Sequence, residues 1–267
     1  MKNILITLLF VCFCASTWAQ SHELVIVHTN DTHSQIESFT DKTDTNIGGF
    51  LRRDALIREV RAQHSNVLIV DAGDYSQGTP YFNFFKGYTE IALMNAMDYD
   101  VAGLGNHEFD NGSAALAKRI HKAHFPVVCA NYEFHNKALA KAVKPYVILE
   151  KDGLKIGVFG LLVDIHALVA PSNANEVTYL DPIESARRVV EELQKQNCDM
   201  IVCLSHLGFG NDVLVNDEQV AKAVPGIDII IGGHTHTELK EPVAVGNTMI
   251  YQLAGKGKCA GVITINY

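Results

Sequence analysis

Five stretches of this chain place side chains able to bind metal ions just after an apolar run. The run 24–27 leads into Asp31-Thr32-His33, the run 67–70 into Asp71-Ala72-Gly73-Asp74, and the run 101–104 into Gly105-Asn106-His107-Glu108. The run 200–204 leads into Ser205-His206, and 228–231 into Gly232-Gly233-His234-Thr235-His236. Taken singly these are weak signals: an Asp-x-His is ordinary on a surface, Asp74 serves equally as a turn residue or helix cap, and a lone histidine after a strand is usually a core residue. The runs Asn106-His107-Glu108-Phe109-Asp110 and Gly233-His234-Thr235-His236 have no packing purpose that explains them. Taken together, Asp31, His33, Asp74, Asn106, His206, His234 and His236 offer more donors than one four-coordinate zinc needs. They suit two divalent metal ions sharing a bridging carboxylate, with positions left for water and substrate. The mixed nitrogen and oxygen set favours zinc, manganese or iron over magnesium or calcium.

Donors so dispersed become one site only if the elements gather them. Short apolar runs at 24–27, 67–70, 101–104, 126–129, 155–159, 200–204, 228–231, 249–253 and 262–265 read as buried strands. Helical spacing separates several of them, most clearly over 181–194, where Ile183, Ala186, Val189, Val190 and Leu193 share a face. Asp181, Pro182 and Glu184 mark its start. Weaker patterns cover 49–63, 88–97 and 112–123. Alternation of strand and helix predicts crossover connections and largely parallel strands, at whose carboxyl edge ligand-bearing residues collect. Gly246-Asn247 predicts an antiparallel hairpin near the end. The expectation is an α/β sandwich of mixed sheets, one domain over residues 20–267.

Residues 1–19 read as a secretory signal peptide: Lys2, an apolar run over 4–14, and Thr17-Trp18-Ala19 as the cleavage region. The run is short of the roughly 20 residues that span a bilayer. The expectation is export, to the periplasm or outside the cell, with no membrane span after signal removal. A formal charge of −8 gives no electrostatic footing for nucleic acid as a partner. Small phosphorylated substrates stay open, because bound cations would outweigh the local charge. Of the cysteines outside the signal, Cys203 sits in an apolar run and reads as a buried thiol, and the spacing of Cys129, Cys198 and Cys259 fixes no pairing. His28 reads as structural support, and Asp71 and Glu108 as groups that orient ligands or backbone.

At Val25-Ile26-Val27-His28-Thr29-Asn30-Asp31-Thr32-His33-Ser34 and at Leu104-Gly105-Asn106-His107-Glu108-Phe109-Asp110, the chain resembles the calcineurin-like metallophosphoesterases. Within them it is similar to the catalytic domain of the 5′-nucleotidase family. Gly73-Asp74, Ser205-His206 and Gly233-His234-Thr235-His236 follow in the matching order, so the resemblance covers nearly all of the chain after the signal. It implies an αββα sandwich with helices on the outer faces. It implies that Asp31, His33 and His236 hold one metal, that Asn106, His206 and His234 hold the other, and that Asp74 bridges them. His107 matches the family's catalytic histidine and Asp110 the carboxylate that orients it.

The activity so implied is hydrolysis of phosphate esters, of 5′-nucleotides or related nucleotides. Cyclic-nucleotide phosphodiesterase or nucleotide-sugar pyrophosphatase activity is the alternative within the same chemistry. Family members with nucleotidase activity usually continue into a nucleotide-binding domain, whereas this sequence stops at Tyr267, where the catalytic domain normally ends. A reading from another class is therefore a metal-binding subunit dependent on a separately encoded nucleotide-binding partner.

Overall fold

The computed structural model describes residues 22–42, 44–210 and 214–267. The signal-peptide reading of residues 1–19 lies outside them. Two six-stranded sheets carry the fold. The first runs, edge to edge, Gly261–Asn266, Glu23–Thr29, Val67–Asp71, Val101–Gly103, Val127–Val128 and Val143–Lys144. Its neighbours are parallel except for the antiparallel pair Glu23–Thr29 with Gly261–Asn266. The second runs Val243–Val245, Thr248–Tyr251, Ile229–Ile231, Met200–His206, Leu154–Leu162 and Tyr146–Lys151. Its four inner strands are parallel, and both edges pair antiparallel, one through the hairpin at Gly246-Asn247.

Side-chain alternation assigns each strand two apolar faces. Leu24, Ile26, Leu68 and Val70 meet Ile156, Val158, Val202, Leu204, Ile229 and Ile231 between the sheets. The alternate residues Val25, Val27 and Ile69 face Ile57, Val60, Ile91, Met94 and Leu116 of helices Phe50–Gln63, Tyr88–Ala96 and Gly112–Ile120. On the far side Phe159, Leu161, Ile201 and Ile230 pack under helices Pro182–Lys195 and Asp217–Ala223. This is the αββα sandwich of mixed sheets, with helices outside. Because the inner strands are buried on both faces, their central positions are apolar on both, which is why they are legible as continuous runs.

The helix expected over 181–194 spans Pro182–Lys195, with Asp181 capping it by accepting from the Glu184 amide at 2.9 Å. Cys203 is a buried free thiol, and Cys129, Cys198 and Cys259 are free as well.

Candidate active site

All five polar clusters stand at the carboxyl ends of parallel strands, three on the first sheet and two on the second. Asp31 and His33 follow Glu23–Thr29, Asp74 follows Val67–Asp71, and Asn106 opens the short 3-10 turn Asn106–Phe109. His206 is the last residue of Met200–His206, and His234 and His236 follow Ile229–Ile231. Strained backbone concentrates here: Asp31, His33, Asp74, His234 and His236 all have positive φ, from 47° to 75°. Each non-glycine residue in that region costs on the order of 1 kcal/mol, which a fold bears where function fixes the side chain.

The donor atoms converge. His236 Nε2 lies 2.9 Å from His33 Nε2 and 3.4 Å from Asp31 Oδ1. His33 Nε2 is 3.9 Å from Asp31 Oδ1 and 4.0 Å from Asp74 Oδ2. On the other side of Asp74, His206 Nε2 is 3.1 Å from Asp74 Oδ2 and 3.8 Å from Asp31 Oδ1. His234 Nδ1 sits 3.0 Å from Asn106 Oδ1, and the His206 and His234 rings are 5.4 Å apart. Asp31 and Asp74 each lie within 4.0 Å of both His33 Nε2 and His206 Nε2.

His206 gives the test of whether these residues fit metal ions. Fully buried, it donates from Nδ1 to the Ala72 carbonyl at 2.8 Å, which turns Nε2 toward the other donors. That Nε2 faces two buried carboxylates, 3.1 Å from Asp74 Oδ2 and 3.8 Å from Asp31 Oδ1. A buried imidazole nitrogen of fixed orientation facing two carboxylates fits the donor set of a divalent transition metal. The electrostatics agree. Burial alone would lower the His206 pKa, but Asp74 and Asp31 raise it to about 10, a proton standing where a cation's charge would otherwise balance them. Burial, followed by the neighbouring His206, lowers His234 to about 4.

Neighbouring groups hold the donors in place. Glu108, fully buried, accepts at one oxygen from the amides of Asp74 and Gly105, at 2.9 and 2.7 Å. Its other oxygen accepts from the Ser76 amide and hydroxyl at 3.1 and 2.7 Å. Gly105 must be glycine, since a Cβ there would fall 2.2 Å from Asp74 Oδ1. Asp71 accepts from Thr29 Oγ1 and the Gly73 amide, and burial raises its pKa to about 7. Two supports are given no role by the sequence. Asn30 donates to Asp31 Oδ2 at 2.7 Å and pairs with both backbone groups of Leu253. Asp217 accepts from Ser205, beside His206, across twelve residues of chain. Asn30 lies inside the family-like run 25–34 beside Asp31, where the resemblance assigns it no role, and nothing in the sequence marks Asp217. His28 lies away from the donors, edge-on to Tyr251 and paired with Gly261.

His107 and Asp110 sit at the rim. The His107 ring donates from Nδ1 to Asp110 Oδ2 at 2.9 Å, and its backbone amide donates to Asp74 Oδ1 at 2.9 Å. Burial works to lower the His107 pKa, but the Asp110 hydrogen bond and the Asp74 carboxylate outweigh it and hold the pKa above the ordinary value. An open cleft of about 410 Å³ covers the cluster, lined by His33, Gln35, Gln77, Gly78, His107, His236 and Lys256.

The model of the calcineurin-like phosphoesterase family matches residues 24–238. The chain belongs to that family. Among relatives of this phosphoesterase, the snake venom 5′-nucleotidase of Crotalus adamanteus is 36% identical over 262 residues, covering 91% of this chain and 43% of the relative. A probable 5′-nucleotidase of Treponema pallidum (strain Nichols) is 34% identical, covering 82% of this chain and 37% of its own length. The chain thus spans less than half the length of these curated relatives. Among solved structures, a 5′-nucleotidase precursor from Thermus thermophilus superposes with a TM-score of 0.83 at 34% identity, covering 91% of this chain and 51% of that one. The calcineurin-like phosphoesterase YfkN from Bacillus subtilis gives 0.78 at 27% identity, covering 92% and 86%.

Proposed function

We propose that this phosphoesterase hydrolyses nucleotide phosphate esters using two divalent cations, zinc, manganese or iron. The observation that carries the reading is the Nε2 of buried His206 facing Asp31 and Asp74, in one cluster with His33 and His236. Asp31, His33 and His236 would hold one ion, Asn106, His206 and His234 the other, with Asp74 shared. When bound, the cations supply charge neutralisation at the phosphoryl oxygens and a lowered pKa for the attacking water. His107 holds a proton at the cleft, and Asp110 fixes its ring so that Nε2 can pass that proton to the leaving oxygen. The names of the relatives support a nucleotide as substrate.

The cleft lining is imidazole, amide and ammonium, which suits phosphate and sugar more than the face of a base. Base recognition then falls to other surface, a separately encoded partner protein being one source. The sequence of residues 1–19 supports export to the periplasm or beyond. The deciding experiment is phosphate release from aryl phosphates, AMP, cyclic nucleotides and UDP-sugars, with manganese or zinc and again with chelator. Metal-dependent release from AMP is expected. The absence of metal-dependent release from every ester would refute the reading.

A further inference from the structure

Arg119 lies in the last turn of helix Gly112–Ile120, and at 1% exposure it is the largest of the fully buried side chains. Its acceptors are two main-chain carbonyls rather than a carboxylate. Nη1 donates to the Lys86 carbonyl at 2.9 Å and Nη2 to that of Glu108, while Nε finds no partner among the described residues. Burying a guanidinium without a carboxylate costs stability that an unbranched apolar side chain would not. Filling space therefore does not account for an arginine at this position.

Both carbonyls belong to the ends of helical segments, where the backbone leaves C=O groups without a partner of their own. Lys86, in the left-handed conformation with a φ of 53°, closes helix Pro80–Phe85, and Glu108 lies in the 3-10 turn Asn106–Phe109. Gly87, the residue before helix Tyr88–Ala96, packs so tightly here that a Cβ would fall 2.9 Å from Arg119 Cδ. The planar fork of one arginine thus joins two segments that are far apart in the chain, a reach that the single ammonium of lysine matches poorly.

The turn so held is tied to the donor cluster at each of its first three residues. Asn106 Oδ1 is 3.0 Å from His234 Nδ1, the His107 amide donates to Asp74 Oδ1 at 2.9 Å, and the Glu108 carboxylate accepts from the Asp74 and Gly105 amides. A displacement of the Glu108 main chain therefore disturbs all three ties. Arg119 itself lines no part of the cleft and offers no donor to the cluster.

We propose that Arg119 is a positioning residue, which fixes the main chain at Glu108 and through it the places of Asn106, His107 and Asp74. Its kinetic consequence rests on the phosphoesterase reading of the site, and the test separates the two.

The experiment compares wild type, Arg119→Ala and Arg119→Lys. In metal-free Arg119→Ala the amides of Gly105 and His107 should exchange with deuterium faster, while those of strand Val67–Asp71 keep their protection. Manganese affinity, measured by titration, should fall by about 10–100-fold. With aryl phosphate and saturating manganese, kcat should fall by up to about 10²-fold with KM little changed, the pattern of misplaced groups rather than lost substrate binding. Added methylguanidinium should restore part of each loss in Arg119→Ala, and Arg119→Lys should fall between the other two proteins. Exchange at Gly105 and His107 that rises no more than in the strand, or wild-type manganese affinity, would overturn the proposal and leave Arg119 a packing role alone. If Arg119→Ala does not fold, the same exchange and titration in Arg119→Lys decide. Absence of hydrolysis in wild type would count against the phosphoesterase reading, and exchange and manganese titration would still decide the role of Arg119.

Discussion

Glu108 takes no part in the chemistry, yet its carboxylate decides where Asp74 stands. Four hydrogen bonds from the Asp74, Gly105 and Ser76 backbone and the Ser76 hydroxyl end on it in a fully buried position. In Glu108→Gln one oxygen becomes an NH₂ group facing N–H donors, so one side of the junction loses its acceptor. A buried donor left unsatisfied costs about 1–3 kcal/mol, and loss of a group that orients a ligand typically costs about 10–100-fold in metal affinity. We expect a lower melting temperature together with metal affinity weakened by about that factor, measured by melts and by metal titration. Unchanged affinity would mean that the Asp74 position does not depend on Glu108. His107 behaves differently, because it holds no strand end together. His107→Ala should keep metal content while phosphate release slows by about 10²–10⁴, the usual share of a general acid. Full activity in that variant would remove His107 from the reaction.

Among the elements, the edge pair Glu23–Thr29 with Gly261–Asn266 carries the least obvious consequence. His28 is buried there opposite Gly261, and burial lowers its pKa to about 4 from the ordinary 6.5. The folded state therefore refuses a proton that the unfolded chain accepts. The stability this represents is fully present above about pH 6.5 and is lost as pH falls toward 4, on the order of 3 kcal/mol across that window. Urea denaturation at about pH 7.5 and about pH 4.5 should show a smaller acid-induced loss in His28→Gln than in wild type, and an equal loss would place the acid sensitivity elsewhere. The same elements show what sequence pattern can carry. Inner strands such as Val67–Asp71 are buried on both faces and so announce themselves as apolar runs. Tyr146–Lys151 is an edge strand with only Val147, Ile148 and Leu149 apolar between polar ends, too short a run to mark it as a strand. Tyr132–Phe134 and Val177–Tyr179 are strands only because they pair with each other, a fact no local pattern holds. The same division runs through the site. The strand-end donors cluster in sequence, whereas Asp217 reaches Ser205 only once helix Asp217–Ala223 has packed.

For the molecule as a whole, the decisive feature is that the donors are split between two sheets that face each other across an apolar layer. Asp31, His33, Asp74 and Asn106 ride on the first sheet, and His206, His234 and His236 on the second. Side chains such as Leu204, fully buried between the sheets, hold the halves in register. A cation bound across that seam is then a fastener for the sandwich as well as a reagent. Binding to the folded state alone stabilises it by about 2.7 kcal/mol at a hundredfold excess over Kd. Leu204→Ala removes about 2–5 kcal/mol of packing without touching a donor. It should therefore lower the metal-free melting temperature while leaving the manganese-induced rise nearly intact. His206→Ala should show the reverse weighting, with most of the manganese-induced rise gone whatever its metal-free stability, because the second sheet has lost its most buried donor. Thermal melts with manganese and with chelator measure both shifts. A full metal-induced rise in His206→Ala would mean that the cations are held without this donor, and that the seam between the sheets is closed by packing alone.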